Sequence, residues 1–128
     1  MIPYGRQEIS EEDVKAVTEA LRSDFLTQGP QLPLFEKIVA DYCGAKYGVA
    51  VNSATSALHI ACLALELGED DWLWTSPNSF VASANCGVYC GAKVDFVDID
   101  PKTYNLSAEE LEKKLIRAKQ ENKLPKVL

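Results

Sequence analysis

Apolar and polar positions change their period several times along the chain, and each change marks an element. From Glu11 the apolar residues Val14, Val17, Ala20 and Leu21 recur at helical spacing, which predicts a helix with one buried stripe. Ser10 stands ahead of it as an N-cap, and Glu11, Glu12 and Asp13 complement the helix dipole. Ser23-Asp24 interrupts the pattern, and the segment from Phe25 to Pro30 reads as an ordered loop closed by a Gly-Pro turn. A second helix is predicted from about Pro33, with Leu34, Phe35, Ile38, Val39 and Tyr42 as its stripe and Gly44 as its stop.

Beyond that point helix-length segments alternate with short apolar runs. Gly48 to Asn52 suits a buried strand, and the stretch from Ser53 to Leu67 reads as a helix closed by Gly68. Trp72 to Thr75 predicts a second strand, Ser79 to Cys90 a helix closed by Gly91, and Val94 to Val97 a third strand. Such alternation is the pattern of right-handed parallel βαβ units. Ser107 and Glu110 make a capping-box sequence opening a charged amphipathic helix to about Asn122, and Lys126 to Leu128 read as the start of another strand. A parallel sheet needs cover on both faces, and three strands with a stub make a small one. The chain therefore reads as the opening portion of a larger α/β domain, cut in mid-element, without internal repeats or a flexible linker.

Composition narrows the class. The 128 residues suffice for one domain, and 47% apolar with 25% charged residues is the balance of a globular protein. Thirteen Lys and Arg against nineteen Asp and Glu leave a net charge of -6, which argues against nucleic acid or an anionic membrane as partner. No apolar run approaches the roughly 20 residues that span a bilayer, and the N-terminus lacks the look of a signal peptide. Cys43, Cys62, Cys86 and Cys90 lack CxxC spacing. Cys86 and Cys90, four apart on a helix, are expected as buried free thiols rather than a metal pair, which fits a reducing cytoplasm.

Two segments carry candidate chemistry. Asn52-Ser53-Ala54-Thr55-Ser56-Ala57-Leu58 lies where a strand gives way to a helix and is rich in small hydroxyl residues. Free N–H groups and the helix dipole favour an anion at such a point, and small side chains let a phosphate approach the backbone. The same residues also serve as a plain N-cap, and the sequence leaves both roles open. Neither GxxxxGK[ST] nor GxGxxG is present, which excludes a nucleoside-triphosphate loop and argues against a dinucleotide fold. The second segment, Thr75 to Phe80, follows a strand at the end where open α/β sheets bind ligands. Phe80 is either a ring that stacks on a flat ligand or a core residue at a helix start.

In this order, Ile2-Pro3-Tyr4, Phe25 to Pro30, Phe35-Glu36, Val51 to Leu58, Thr75-Ser76-Pro77 with Phe80 to Asn85, and Phe96 to Ile99 resemble the DegT/DnrJ/EryC1/StrS family of sugar aminotransferases. The resemblance runs over all 128 residues. It implies an α/β fold: the N-terminal part of the large domain of a type I aminotransferase, three-layer αβα with a mostly parallel sheet. It also implies pyridoxal 5'-phosphate as cofactor. By the same resemblance, Ala54, Thr55 and Ser56 would contact the cofactor phosphate and Phe80 would lie over its pyridine ring. Tyr4, Asp24, Phe25, Leu26 and Thr27, with Gln28 and Ala54, would line the sugar-nucleotide site. Asn78 departs from the pattern, since related sequences carry an aliphatic residue there.

The stretches Ser23 to Pro30 and Asn52 to His59 look most like family members that move an amino group from glutamate to C4 of a UDP-linked 4-keto-6-deoxy hexose. A UDP-sugar and glutamate are then the implied partners, in a cytoplasmic homodimer. The lysine that forms the Schiff base, and the acid on the pyridine nitrogen, are expected beyond residue 128, so the chain alone is expected to be inactive. Lys15, Lys37, Lys46, Lys93, Lys102, Lys113 and Lys126 read as solvated surface charges, Asp98 and Asp100 as loop residues, and His59 as a helix residue without a visible partner. An aminotransferase for another nucleotide keto sugar, or a non-catalytic regulatory relative, would share the same opening segment.

Overall fold

A computed structural model describes Ile2 and residues 4–128, so Pro3 of the Ile2-Pro3-Tyr4 motif lies outside the described residues. In chain order the elements are α1 (Glu11–Leu21), α2 (Gln31–Cys43), α3 (Ala54–Ala64), β1 (Trp72–Thr75), α4 (Ala82–Tyr89), β2 (Lys93–Phe96) and α5 (Ala108–Glu121). They fall into two units, Met1–Ala50 and Val51–Leu128.

In the first unit, local chemistry sets the helix ends. Ser10 Oγ accepts the Asp13 N–H at 3.2 Å while Asp13 Oδ2 accepts the Ser10 N–H at 2.8 Å, a closed capping box. The Ser10 N–H first, and then the Ser10 hydroxyl, which donates to the same Asp13 Oδ2 at 2.9 Å, hold the Asp13 carboxyl below its usual range. Helix α2 begins at Gln31, earlier than predicted, because Pro33 fits the first turn, where its missing N–H breaks no helical bond. It ends at Gly44 in the left-handed conformation, φ 65°.

The predicted burial of the α1 stripe is corrected, and the α2 stripe is exposed as well. Val14, Val17 and Leu21 are exposed by 50%, 60% and 65%, and Leu34, Phe35, Ile38, Val39 and Tyr42 are exposed too, leaving only Ala40 of α2 buried. Periodicity fixes which residues share a face; burial needs a surface to cover that face. The predicted strand at residues 48–52 is also absent. A strand exists only if a neighbour takes its N–H and C=O groups, and no described strand pairs with this run. Instead the Ala50 N–H donates to Glu36 Oε1 at 2.9 Å, and Val49 is exposed.

The second unit holds the predicted parallel βαβ. Strands β1 and β2 pair in parallel from Trp72↔Lys93 to Thr75↔Phe96, with α4 as the crossover. Strand alternation sends Leu73 and Trp74 to opposite faces. Leu73 packs with Cys62 of α3, Cys86 of α4, Leu67 and Ala92. Trp74 packs with Val97 and with Ala118, Leu111 and Leu115 of α5. The result is three layers, with α3 and α4 on one face and α5 on the other. Burying a side chain such as Leu73 or Val97 contributes about 1.5–3 kcal/mol, and both are almost fully enclosed. Val127 bridges Leu73 in parallel, so the predicted strand stub lies along β1, with the Trp74 N–H donating to the Val127 carbonyl at 3.0 Å.

Several boundaries shift for local reasons. Helix α3 stops at Ala64 because Glu66 takes a left-handed φ of 55°. Helix α4 starts at Ala82, after Phe80 and Val81 have closed a turn whose carbonyls accept the N–H groups of Ser83, Ala84 and Asn85. Strand β2 covers Lys93–Phe96, one residue earlier than expected, while the Val97 N–H still donates to the Thr75 carbonyl. At α5 the predicted capping box is half made. Ser107 Oγ accepts the Glu110 N–H, but the Ser107 N–H donates to the Asp98 carbonyl and Glu110 pairs with Lys113.

Lys126 is exposed, as expected of a surface charge, and also forms a cross-link that the sequence did not disclose. Its ammonium donates to Asp71 Oδ2 at 2.9 Å and to the Glu66 carbonyl at 2.7 Å. Cys62 and Cys86 are buried free thiols, whereas Cys90 is only half-buried and Cys43 is exposed. Burial, with Cys86 and Cys90 beside it, pushes the Cys62 thiol up to about 12. Among the described residues no group of His, Cys, Asp and Glu is arranged to hold a metal, and no helix is long and apolar enough to cross a membrane.

Candidate phosphate turn and ring site

In the second unit the candidate site is built around the start of α3. Ser53 is its N-cap, extended at φ -160° and ψ 155°, and its Oγ accepts the Ser56 N–H at 3.1 Å. Ser56 Oγ donates to Asn52 Oδ1 at 2.8 Å and lies 3.0 Å from Ser53 Oγ. Asn52, Ser53 and Ser56 thus form a closed polar knot that holds the first turn. Ala54 and Thr55 are the first two helical residues, and their N–H groups have no hydrogen-bond partner among the described residues. Thr55 Oγ1 is likewise without one, on a half-buried residue. Two free N–H groups and a hydroxyl at the positive end of a helix dipole make a donor set suited to a phosphate. Ser56 differs from its neighbours, since its N–H and hydroxyl are used within the knot. The organising part of Asn52 was missed in the sequence, although an Asn directly before a Ser-x-x-Ser cap is a readable signal.

Phe80 lies in the loop after β1, just ahead of α4, and its side chain is exposed by 73%. Of the two readings open in the sequence, core residue or ligand-facing ring, this exposure disfavours the first. Asn78 donates through Nδ2 to the Tyr104 carbonyl at 3.2 Å, so the loop is tied to the turn after β2. His59 stands on α3 with its ring edge-on to Tyr89 of α4, centroids 5.3 Å apart. It therefore has a packing partner that the sequence did not disclose.

The first unit holds the remaining candidates. Phe25 and Leu26, with Gln28, line a cleft of 410 Å³ walled by Val17 and Leu21 of α1 and Leu32 of α2. Asp24 and Thr27 stand beside these residues in the chain without lining the cleft, and Tyr4 is fully exposed. The loop is tightly wound. Gln28 has a φ of 54°, and a Cβ on Gly29 would lie 2.9 Å from the Phe25 carbonyl oxygen.

A larger cleft of 490 Å³ lies between the sheet and α5, around Trp74, Asp95, Lys114 and Arg117, and no predicted site residue lines it. Lys114 fills much of its chemistry, donating to the Phe96 carbonyl, pairing with Asp95 at 2.6 Å and covering the Trp74 ring. Burial raises the Asp95 carboxyl, but the Lys114 and Phe96 donors outweigh it and leave the group lowered.

The chain is similar to several known proteins. The chain is 41% identical over 117 residues to the UDP-4-amino-4,6-dideoxy-N-acetyl-beta-L-altrosamine transaminase of Campylobacter jejuni, covering 91% of this chain and 31% of that protein. It is 42% identical over 111 residues to the spore coat polysaccharide biosynthesis protein SpsC of Bacillus subtilis, covering 87% and 28%. The PLP form of Spr1654 from Streptococcus pneumoniae superposes with a TM-score of 0.82 at 30% identity, over 88% of this chain and 29% of that one. The chain thus spans about 30% of the length of these relatives. Its α/β layers are those of the corresponding part of an aminotransferase fold. Residues 7–121 match the DegT/DnrJ/EryC1/StrS aminotransferase family, and the chain belongs to it.

Proposed function

We propose that this chain is the N-terminal portion of a pyridoxal-phosphate aminotransferase domain that moves an amino group from glutamate to C4 of a UDP-linked 4-keto-6-deoxy hexose. The observation that carries the reading is the unpartnered donor set of Ala54 and Thr55 at the start of α3, in a member of this family. When bound, the cofactor supplies an electron sink and carries the amino group between the two substrates. The part of these residues is to hold it. The Ala54 and Thr55 N–H groups and the Thr55 hydroxyl take the phosphate, with Ser56 and the Asn52 knot keeping the turn in shape. Phe80 offers its face to the pyridine ring. Tyr4, Asp24, Phe25, Leu26 and Thr27 take the sugar nucleotide, an assignment to which the Phe25 and Leu26 cleft lends support. The Schiff-base lysine comes from sequence beyond Leu128. The likeness to the altrosamine transaminase favours a UDP-linked 4-amino sugar as product. A place in pseudaminic acid biosynthesis, as a cytoplasmic homodimer, is what the family resemblance implies.

The likeness to SpsC, a protein of polysaccharide biosynthesis, within the same aminotransferase family supports a second reading, an aminotransferase for another nucleotide keto sugar. One experiment separates them. The complete gene product is incubated with glutamate and a panel of UDP- and dTDP-linked 3-keto and 4-keto sugars, and the amino sugars are identified by mass spectrometry. Formation of the UDP-4-amino sugar together with 2-oxoglutarate is expected. Preference for a different keto sugar selects the second reading, and transfer to none of them overturns both in favour of a non-catalytic relative.

A further inference from the structure

We propose that Asn78 is a positioning residue whose carboxamide ties the loop after β1 to the turn after β2 and so sets the place of the Phe80 ring. The proposal rests on the reading of Phe80 as the ring that meets the cofactor. The loop is anchored at both ends by backbone. At its start the Thr75 carbonyl accepts the Val97 N–H at 2.9 Å, and at its end the Phe80 carbonyl accepts the Ser83 N–H at 3.0 Å. Between these anchors the side-chain bonds are mostly local: the Asn78 N–H donates to Ser76 Oγ at 3.3 Å, and Ser79 Oγ lies 3.2 Å from Ser83 Oγ. Among the described residues, the Asn78 Nδ2 bond to the Tyr104 carbonyl, at 3.2 Å, is the one side-chain hydrogen bond that leaves this loop for a distant segment.

The acceptor belongs to a built turn. Tyr104 has a φ of 61°, in the left-handed region that few residues other than glycine hold unaided. The turn imposes it. The Tyr104 N–H donates to the Asp100 carbonyl and the Asp100 N–H to the Asn105 carbonyl, both at 2.8 Å. Asp100 Oδ1 accepts the N–H groups of Lys102 and Thr103, and Ile99 bridges Leu106 across the base. A backbone outlier held by so many bonds aims its carbonyl in one direction, and Asn78 uses that carbonyl as a fixed point. With the loop pinned there, the exposed Phe80 ring, two residues on, loses freedom before any ligand arrives, which is preorganisation in the ordinary sense.

The test uses the complete gene product with Asn78→Asp, which keeps the shape and loses the donor, Asn78→Leu, which loses polarity, and Asn78→Gln, which keeps a donor. Amide hydrogen exchange is followed over residues 76–81, and two probes are titrated: inorganic phosphate and pyridoxine 5'-phosphate, which has the ring but no aldehyde. Asp and Leu should speed exchange in the loop about three- to tenfold, the range set by one hydrogen bond, with the global unfolding midpoint unchanged. They should weaken pyridoxine 5'-phosphate by a similar factor while leaving inorganic phosphate unaffected, and Gln should restore part of both. Unchanged exchange, or equal weakening of both probes, overturns the proposal. A wild-type protein that holds pyridoxine 5'-phosphate no better than phosphate overturns the cofactor reading of Phe80, and the proposal with it, even where the exchange arm still shows the tie.

Discussion

Gly87 of α4 faces Leu73 of β1 so closely that a Cβ on the glycine would lie 3.1 Å from the Leu73 Cβ, and equally near Val94 Cγ2 of β2. The helix therefore rests on both strands through its backbone at this point. Glycine inside a helix costs about 1 kcal/mol relative to alanine, so its use here trades helical propensity for close packing. Gly87→Ala regains that propensity but forces Leu73 and Val94 aside, and overpacking of a tight core costs about 1–3 kcal/mol. We expect Gly87→Ala to lower the unfolding free energy by about 1 kcal/mol, and Gly87→Val by more. Denaturant unfolding measures both, and an alanine variant more stable than wild type would sink the argument.

Features decided within a few residues were legible in the sequence. The caps at Ser10 and Ser53, the stop at Gly44 and the βαβ rhythm from Trp72 to Phe96 each follow from local propensity, and the structure repeats them. Features that depend on distant partners were not. Val49 and Val51 have strand propensity, yet pairing is a property of two segments, and no described neighbour answers them. Val17 and Phe35 lie on well-marked stripes that stay exposed, because a stripe does not say what covers it. Lys126 meets Asp71 across 55 residues, a contact that periodicity does not encode. At the candidate site, the donors of Ala54 and Thr55 could be anticipated from the strand-to-helix junction, whereas the Asn78 to Tyr104 bond depends on an unforeseen left-handed turn.

The thiols offer a direct check of burial. Cys43 is exposed, Cys90 half-buried, and Cys62 and Cys86 are enclosed. Only the thiolate reacts with alkylating reagents, and burial keeps the Cys62 thiol protonated up to about 12. At pH 8, iodoacetamide should label Cys43 first and Cys90 next, with Cys62 and Cys86 protected until denaturant is added. Peptide mass spectrometry follows the order. Because the folded state holds the Cys62 proton more tightly than the unfolded chain, stability should also decline from about pH 8.5, the ordinary thiol value, upward. Labelling of Cys62 in native buffer as fast as Cys43 would contradict the packing of α3 on α4.

Acid should act through the lowered carboxylates of the second unit, which include Glu109 beside Lys113 and Glu121 beside Lys123 as well as three aspartates. Asp71 is lowered by its bond to Lys126 and by the Gly68 N–H, and Asp100 by the N–H groups of Thr103 and Lys102. Asp95, raised by burial, is brought below its usual value by Lys114 and the Phe96 N–H. A lowered folded value means that the unfolded chain binds protons first as pH falls. The stabilisation is thus complete above the ordinary carboxylate value of about 4 and is lost as pH drops through the depressed folded values. Unfolding midpoints should fall steeply below about pH 4, and Asp71→Asn should flatten that dependence while lowering the neutral-pH midpoint. An unchanged pH profile in Asp71→Asn would show that the Lys126 cross-link adds nothing to stability.

The phosphate turn and the Phe25 to Thr27 loop are assigned to different ligands, and matched substitutions in the complete gene product separate them. Thr55→Val keeps the β-branch on a half-buried residue and removes the hydroxyl, the one side-chain donor there that the Asn52 knot does not already use. A hydrogen bond to a charged group is worth roughly 1.5–3 kcal/mol, so affinity for pyridoxine 5'-phosphate should fall about ten- to a hundredfold. Inorganic phosphate should weaken in parallel, because the lost donor faces the phosphate and not the ring. Thr27→Val makes the same chemical change in the first unit and should leave both probes bound as in wild type, while slowing the single-turnover reaction with the keto sugar. Titration of both probes and single-turnover kinetics on each of the two variants separate the roles. If Thr55→Val binds both probes as tightly as wild type while Thr27→Val releases them, the two segments have been assigned the wrong way round.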